Sequence, residues 1–315
     1  MPHVQTVRGA IDPNGLGVVD AHEHVFLNSP ALPGEDFEDP ERMCTELEYV
    51  AASGVDTVVD LTTVGIGRHP THLAEVSQRS GVHVVLATGY HRDAHYPPAH
   101  WVHRETSDVL LEVLLADLRT GIDERDWRGP APQPSAVRSG VVKVGASYQR
   151  MTPAERRRIE VGIEAARLTG VGLTVHCEIG TMAHDILDLA VAGGLPSDRV
   201  ALAHMDRNPD PDLHVEIADR GAYLLYDTVG RIKYRPDSEL AALIQRLLDA
   251  GQVARMLLGT DVGRRTMLRA YGGGPGMDVL GREFLPRLRR RIGDQAVEEI
   301  TRANPARYLT VREEP

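Results

Sequence analysis

Lysine is scarce in this sequence. Only Lys143 and Lys233 are lysines among the 35 basic residues, so the other 33 are arginines. Arginine stays protonated in proteins, whereas a buried lysine can lose its proton and become a nucleophilic amine. Lys143 lies in the apolar run 140–145, where a neutral amine is tolerated and a permanent charge is costly. On composition alone, a codon bias is the simpler explanation. The residues around each lysine must therefore indicate whether that lysine has a function.

Cysteine and long apolar stretches are scarce as well. The two cysteines, Cys44 and Cys177, form no Cys-x-x-Cys pattern, which argues against a disulfide framework and favours a reducing compartment. No segment approaches the roughly 18 apolar residues that a membrane span needs. Residues 1–8 contain no apolar signal region. These absences predict a cytoplasmic protein with no membrane partner.

The overall charge is acidic, with a formal net charge of −10 at pH 7. Nucleic acids and anionic membranes require a broad cationic surface, so we expect a small-molecule partner and no nucleic acid. An anionic small molecule is compatible with this charge only if the charge is reversed locally. The chain has 315 residues, 42% hydrophobic and 25% charged, which suits one barrel domain over residues 1–315.

Short β-branched segments alternate with longer helical patterns, which is the signal of repeated βαβ units. Eight such strands are the number that closes a TIM (β/α)8 barrel, and this is the α/β fold that we predict. An open doubly wound sheet has a similar alternation and is the alternative. The predicted strands are Gly17–Ala21, Asp56–Leu61, His83–Thr88, Gly140–Val144, Gly172–His176, Arg199–His204, Ala222–Asp227 and Arg255–Gly259.

Turn and capping residues mark the ends of further elements. Asp12–Gly15 separates segments 4–11 and 15–19, and predicts a small N-terminal β-hairpin that covers the bottom of the barrel. The proline-rich stretch 129–134 is too short for a domain linker and is predicted to be a loop. Helices are predicted from Asp39-Pro40 to Gly54, from the capping box Thr152–Glu155 to Gly170, and from Pro236 to Gly251.

The first predicted strand ends in a pair of histidines. His22 and His24 are two residues apart, so both imidazoles point to one side of a strand and can reach one metal ion. A His-x-His pair by itself is a weak signal, because short motifs often match by accident. Buried structural histidines are the alternative, so the pair needs support from other strand ends.

Further potential ligands occur where other predicted strands end. His176 and His204 end the fifth and sixth strands, Asp261 follows the eighth, and Lys143 lies near the end of the fourth. The carboxyl ends of barrel strands meet at one mouth, so these side chains are expected to converge there. Cys177 is expected to point away from that mouth and to be a core residue. The repetition at successive strand ends favours a metal site.

The motifs resemble the phosphotriesterase-like branch of the amidohydrolase superfamily, and among its members most closely the lactonase-type relatives. They run from the N-terminus to the C-terminus and are highly specific in combination. The matching segments are Thr6-Val7-Arg8-Gly9, His22-Glu23-His24, Val142-Lys143-Val144, His176, Ala203-His204-Met205-Asp206, Thr260-Asp261 and Asn304-Pro305-Ala306-Arg307.

The resemblance implies a homodimer and a binuclear centre with two divalent metal ions. Imidazole and carboxylate ligands suit zinc, with manganese and cobalt as alternatives. Only an uncharged amine can add carbon dioxide to become an anionic carbamate, which agrees with lysine rather than arginine at the bridging position. The implied ligands are His22, His24 and Asp261 on one ion, His176 and His204 on the other, and N6-carboxylated Lys143 as the bridge.

The resemblance also implies a reaction. Two ions bridged by hydroxide supply a nucleophile at neutral pH and polarise a carbonyl or phosphoryl oxygen. Asp261 would be the general base and pass the proton to the leaving oxygen, and Asp206 would be a carboxylate near the departing group. In organophosphate-cleaving members that carboxylate works with a histidine after the seventh strand, but here Thr228 follows Asp227. Phosphotriester hydrolysis is therefore disfavoured as the main activity.

Cationic residues cluster in two predicted mouth loops of this acidic chain. Arg231 and Lys233 follow the seventh strand, and Arg264 and Arg265 follow the eighth. Cations beside glycine-rich backbone suit a carboxylate or phosphate group on the substrate. Solvated loop charge, or pairing of Arg264 with an acidic neighbour, is the alternative.

Three further residues are candidates for substrate contact. Tyr90 and His91 in loop three stand where phosphotriesterases have hydrophobic pocket residues, and Tyr148 lies in loop four. Segments 233–238 and 270–276 resemble lactonases, some of which open phosphorylated sugar lactones. Aromatic residues make up only 4% of the chain, so an apolar organophosphate pocket is not indicated.

These observations predict a metal-dependent hydrolase that opens a small lactone or ester carrying an anionic group. Other hydrolase specificities are the nearest alternatives: organophosphate triesters, acyl-homoserine lactones or an N-acyl amide. A barrel without catalysis that serves as a binding subunit is an alternative of another class, but every expected ligand is present in the sequence.

Overall fold

A barrel of eight parallel strands is the centre of the fold. The computed structural model describes residues 2–129 and 131–312. Each barrel strand pairs with the next along the chain. At the seam between the last strand and the first, the Asp261 N–H donates to the His22 carbonyl at 2.9 Å. Gly259 approaches the same strand so closely that a Cβ would lie 2.8 Å from the His22 nitrogen. The sheet is therefore a TIM barrel, and the open alternative is excluded.

Residues 2–129 and 131–312 contain ten strands, two in an antiparallel hairpin and eight in the barrel. All eight predicted barrel strands are confirmed, and their ends differ from the prediction by at most two residues. The strands are β1 (Val4–Thr6) and β2 (Gly9–Ile11) in the hairpin, and β3 (Val19–Glu23), β4 (Thr57–Asp60), β5 (His83–Tyr90), β6 (Val141–Ala146), β7 (Gly172–Cys177), β8 (Val200–Ala203), β9 (Tyr223–Tyr226) and β10 (Met256–Leu258) in the barrel.

The three predicted helices are present, and the predicted capping box of the second is confirmed. The Thr152 hydroxyl accepts from the Glu155 N–H, the Glu155 carboxylate accepts from the Thr152 N–H, and Gly170 ends the helix in the left-handed conformation. Such caps contribute about 1 kcal/mol each. The described α-helices are α1 (Pro40–Ala52), α2 (Pro70–Ser80), α3 (Ser107–Arg119), α4 (Pro153–Thr169), α5 (Ala183–Ala192), α6 (Pro211–Asp219), α7 (Asp237–Asp249), α8 (Leu285–Ile292), α9 (Asp294–Glu298) and α10 (Asn304–Leu309).

The N-terminal hairpin is present, but its turn is not where the sequence predicts it. β1 and β2 pair antiparallel around Val7 and Arg8. Asp12 instead caps the single 3-10 turn Pro13–Leu16. An aspartate followed by proline favours the start of a helical turn, which is why this signal does not form the hairpin loop.

The bottom of the barrel is filled by apolar side chains. Inward-facing residues at the amino ends of the strands form one buried cluster with Val4 of β1, Leu16 of the 3-10 turn, and Tyr308 and Leu309 of α10. Burial of each large apolar side chain stabilises the fold by about 1.5–3 kcal/mol. The hairpin therefore covers the bottom of the barrel, as predicted.

Within residues 2–129 and 131–312, no helix combines the length and the apolar character that a bilayer span requires. Cys44 and Cys177 are buried free thiols, and Cys177 lies in the core outside the barrel interior. The cytoplasmic location, the homodimer and the single domain over 1–315 stay predictions. Met1, Pro130 and residues 313–315 lie outside the described residues.

Candidate metal centre

The barrel strands present the site residues by their period of two. Alternate residues of a strand face the barrel interior, so the inner positions of β6 run from Val141 to Lys143. On β7 they run from Thr174 to His176, and after β9 the next inner position is Asp227. Above the apolar bottom layer, the carboxyl ends of the strands therefore carry amine, imidazole and carboxylate side chains.

His22, His24 and Asp261 form one cluster of donor atoms. The Nε2 atoms of His22 and His24 each lie 3.5 Å from Asp261 Oδ1. All three residues are buried, and one donor atom of each lies within 4.8 Å of the others. The structure therefore brings together the three ligands predicted for the first ion.

His176, His204 and Lys143 form the other half of the site. His204 Nε2 and His176 Nδ1 are 2.8 Å apart. Lys143 is fully buried, and its Nζ has no hydrogen-bond partner within the described residues. Burial lowers the pKa of Lys143 to about 8. A buried amine without a partner that deprotonates readily is suited to become a carbamate ligand, which an arginine cannot do.

One carboxylate orients two of the four imidazoles. His22 Nδ1 lies 2.8 Å from Asp227 Oδ2, and His204 Nδ1 lies 2.7 Å from Asp227 Oδ1. With Nδ1 donating, each neutral ring has an unprotonated Nε2 that can bind a metal ion, so Asp227 orients the two ligands. The other two rings have partners as well, with His24 Nδ1 at 2.9 Å from Thr62 Oγ1 and His176 Nε2 at 2.7 Å from Glu178 Oε2.

Burial keeps the imidazoles of His22, His176 and His204 neutral. It lowers the pKa of His22 to about 4, with a further contribution from the charge of Lys143, and it lowers the pKa of His204 to about 3. The pKa of His176 lies well below its usual range, also mainly through burial. Neutral imidazole is the form that binds metal ions. The donor set and the unpartnered Lys143 Nζ therefore fit a centre of two divalent cations.

Asp261 is held in an unusual backbone conformation. Its φ is +49°, in the left-handed region that non-glycine residues rarely adopt. Glu23, which is fully buried, accepts hydrogen bonds from both neighbours of Asp261. One comes from the Thr260 hydroxyl and the other from the Val262 N–H at 3.1 Å. Glu23 therefore fixes the turn that aims Asp261 at the histidines.

Two arginines bind the second oxygen of Asp261. Arg207 donates to Asp261 Oδ2 at 2.6 Å, and Arg231 contacts the same oxygen. Burial by itself would raise the pKa of Asp261, but the charge of Arg231 outweighs it and holds the pKa well below its usual range. Asp261 is therefore an anion with Oδ1 toward the histidines and Oδ2 on the guanidinium groups.

The donor atoms open into a cavity of about 220 Å³. Although the chain carries a net charge of −10, five cationic side chains line this cavity. Four of them have a carboxylate partner, whereas Lys233 has none within 4.0 Å in the described part of the chain. The five are Arg92, Arg207, Arg231, Lys233 and Arg264.

The structure separates the predicted substrate residues into two groups. Arg231, Lys233 and Arg264 line the cavity. Arg264 also pairs with Glu35 at 3.6 Å. Tyr148 and Arg265 are exposed and do not contribute to the lining, and their substrate contacts stay predictions.

The prediction that Tyr90 contacts substrate is wrong. Tyr90 precedes the inward-facing His91, so the alternation of β5 turns its ring outward into the core around the barrel. There it is fully buried, and its hydroxyl donates to the Leu110 carbonyl at 2.9 Å. The side chain that reaches the cavity from this strand end is His91.

Asp206, the predicted supporting carboxylate near the departing group, lies outside the cavity lining, and its role stays a prediction. Asp206 is fully buried, accepts from the Thr228 N–H at 2.9 Å and does not line the cavity. Burial, and then the charge of Asp227, raises the pKa of Asp206 to about 7. The next residue, Arg207, enters the cavity instead. The loop after β8 therefore presents the guanidinium group of Arg207 to the cavity.

Several site residues are missed by the sequence reasoning. Asp227 could have been found, because it occupies the inner position two residues after Leu225. Arg207 could not, because His204 has a φ of +66° and breaks the alternation before the turn that carries Arg207. Glu23 gives no signal either, since its partners are more than 230 residues away in the sequence.

Comparison with known proteins agrees with this geometry. A model of the phosphotriesterase family matches residues 2–309. Among curated proteins, the phospho-furanose lactonase of Mycoplasmopsis synoviae (strain 53) is 28% identical over 324 residues, which cover 98% of this chain and 92% of the relative.

Solved structures give the same result. The lactonase Lmo2620 from Listeria monocytogenes superposes with a TM-score of 0.90 and 27% identity, covering 99% of this chain and 100% of that one. The phosphotriesterase homology protein from Escherichia coli, complexed with phosphate in its active site, superposes with a TM-score of 0.85 and 28% identity, covering 95% of this chain and 100% of that one.

Proposed function

The chain belongs to the phosphotriesterase family, and on this premise we propose that it is a metal-dependent lactonase whose substrate is a small lactone carrying a phosphate group. One observation supports the substrate class above all others. In a chain of net charge −10, five cationic side chains line the cavity into which the metal-binding donors open. A dianionic substrate group is attracted to such a local reversal of charge.

The donor set supports a binuclear centre, for which zinc is the metal that we propose. When bound, two adjacent divalent ions supply an activated water at neutral pH and polarise the lactone carbonyl. The residues that would hold them are His22, His24 and Asp261 for one ion, His176 and His204 for the other, and Lys143 as a carboxylated bridge.

The proton steps fall to Asp261. Its Oδ1 faces the histidine cluster, so it is placed to accept the proton of the attacking water. The same oxygen then returns this proton to the ring oxygen as the ester bond breaks. Arg207 and Arg231 hold Oδ2 and keep the carboxylate from turning away. Because no histidine follows Asp227, no relay carries the proton further, and a ring-opening reaction does not need one.

The phosphate subsite that we propose surrounds Tyr234. The guanidinium carbon of Arg207 lies 4.5 Å from the Tyr234 ring centroid, that of Arg231 lies 5.4 Å away, and Lys233 Nζ lies 5.4 Å away. Lys233 has no carboxylate partner within 4.0 Å among the described residues, so its charge is available to a ligand. Two relatives agree with an anion here, because one is named a phospho-furanose lactonase and another holds phosphate in its active site.

The proposal is tested with a panel of substrates on the metal-loaded enzyme. We expect kcat/KM for 5-phosphates of pentono-1,4-lactones to exceed that for the unphosphorylated lactones by about 100-fold or more, since each charge-assisted hydrogen bond is worth about 1.5–3 kcal/mol. A paraoxon-type triester and an acyl-homoserine lactone represent the rival specificities. Faster turnover of either, or equal turnover of both forms of the lactone, would contradict the proposal.

Lys233→Ala sharpens the same test. We expect it to raise KM for the phosphorylated lactone about 10-fold and to leave the unphosphorylated lactone and the metal content unchanged. Arg265→Ala is the matched control, because Arg265 is a cation of a mouth loop that does not line the cavity. If both variants have the same effect, the contribution is general electrostatics and not a phosphate subsite.

A further inference from the structure

Two stacked imidazoles form part of the cavity wall beside the ligand histidines. The rings of His91 and His95 have centroids 3.7 Å apart, and both residues line the cavity. The His91 ring lies 4.8 Å from the His176 ring. Gly145 of β6 makes room for this arrangement, because a Cβ there would lie 3.3 Å from His176 Cβ and 3.5 Å from His91 Nδ1. The pair therefore stands next to the reacting groups and not at the outer rim.

The backbone determines which nitrogen of His91 carries the hydrogen. The Arg92 N–H donates to His91 Nδ1 at 2.8 Å, so Nδ1 is an acceptor and bears no hydrogen. The hydrogen of the neutral ring is consequently on Nε2. Within residues 2–129 and 131–312, Nε2 has no hydrogen-bond partner, and it is not among the buried unpartnered atoms. His91 thus offers the cavity one N–H donor that the protein leaves unused.

His91 is held rigidly in this orientation. Its own backbone N–H donates to the Tyr96 hydroxyl at 3.0 Å. The stacked His95 is anchored in turn, with its Nδ1 at 2.8 Å from Ser29 Oγ. A donor fixed in this way loses little conformational entropy when it binds a ligand atom, which increases its contribution to recognition.

We propose that His91 Nε2–H donates a hydrogen bond to a ring hydroxyl of the substrate, and that this bond selects hydroxylated lactones over deoxy and aliphatic ones. The inference rests on the proposed lactonase function and names the substrate more closely, as a sugar lactone. A substrate without that hydroxyl leaves a buried N–H unpaired, which costs more than the loss of a neutral contact. His95 is a positioning residue, which acts only by bracing His91.

The test compares matched substrates in matched variants. The substrates are D-ribono-1,4-lactone 5-phosphate and its 2-deoxy and 3-deoxy analogues. We expect His91→Phe to lower kcat/KM about 10-fold for the hydroxylated lactone, equivalent to about 1.4 kcal/mol. For the deoxy analogue that lacks the bound hydroxyl, the change should stay within about 3-fold. His91→Gln keeps a side-chain N–H donor and should recover part of the loss, whereas a purely structural role predicts no recovery.

Two controls separate this inference from its premise. Metal content should stay at two ions per chain in each variant, which shows that the centre is intact. If the wild-type enzyme opens no lactone, calorimetry with D-ribose 5-phosphate and 2-deoxy-D-ribose 5-phosphate still tests His91 directly. Equal losses for hydroxylated and deoxy compounds in His91→Phe, in turnover or in binding, would overturn the inference. A loss confined to the hydroxylated compounds supports it.

Discussion

The two ends of the barrel are built from the same eight strands, yet their inner side chains follow opposite rules. At the amino end, Val19, Val59 and their neighbours are apolar and are covered by the hairpin, the 3-10 turn and α10. At the carboxyl end, imidazole, amine and carboxylate groups surround a cavity. The apolar end needs only close packing, whereas each buried polar group at the other end needs a partner. Lys143 Nζ is an inner polar atom to which the described residues give none.

The largest effect is expected when arginine replaces Lys143, whose Nζ has no partner among the described residues. Lys143→Arg should lower kcat/KM more than about 1,000-fold, because a guanidinium group stays charged and cannot become a carbamate. Elemental analysis should find fewer than two ions per chain. Lys233→Arg is the matched control and should keep both ions and most of the activity. A Lys143→Arg enzyme with full metal content and activity would show that position 143 does not require a lysine.

A substitution at the amino end of the barrel should change the stability of the fold and not the catalytic rate. Leu16→Ala deletes a fully buried side chain of the bottom cluster and should reduce the free energy of unfolding in urea by about 2–5 kcal/mol. The kcat of the protein that remains folded should not change. Val191→Ala, at an exposed position of α5, should cost less than about 0.5 kcal/mol. A fall in kcat for Leu16→Ala would show that the two ends are coupled.

A smaller effect tests whether partners matter at the carboxyl end. Asp227→Asn keeps the shape but loses the charge that orients His22 and His204, and should weaken metal affinity about 10-fold to 100-fold. Competition with a chelator measures this change. Asp206→Asn alters another buried carboxylate that does not contact the histidines and should leave metal affinity as it is. Equal metal affinities of Asp227→Asn and Asp206→Asn would show that Asp227 does not orient the ligand histidines.

Periodic features of the fold and site could be predicted from the sequence. The eight strands follow from the alternation of strand and helix patterns along the sequence. The convergence of His22, His24 and Asp261 follows from the rule that barrel strands end at one mouth. The prediction for Tyr90 is wrong because adjacent residues of a strand face opposite sides. The inner position belongs to its neighbour His91.

Contacts that depend on irregular backbone could not be predicted. Arg207 follows a left-handed residue in a turn, where no period tells which side chain enters the cavity. The Asp-Pro-Asn-Gly segment carries signals for both a hairpin loop and a helical turn, and only packing decides between them. The anchoring of Asp261 by Glu23 links strands at opposite ends of the chain and leaves no local trace in the sequence.

That last contact has a consequence for the nascent protein. Glu23 and Val262 are 239 residues apart, and the seam of the barrel joins the same two regions. At a synthesis rate of about 5–20 residues per second, the first ligand strand leaves the ribosome roughly 10 to 50 seconds before its partner exists. During this interval His22 and His24 are made but Asp261 is not. The donor cluster of His22, His24 and Asp261 is therefore completed late in synthesis, together with the seam that closes the barrel.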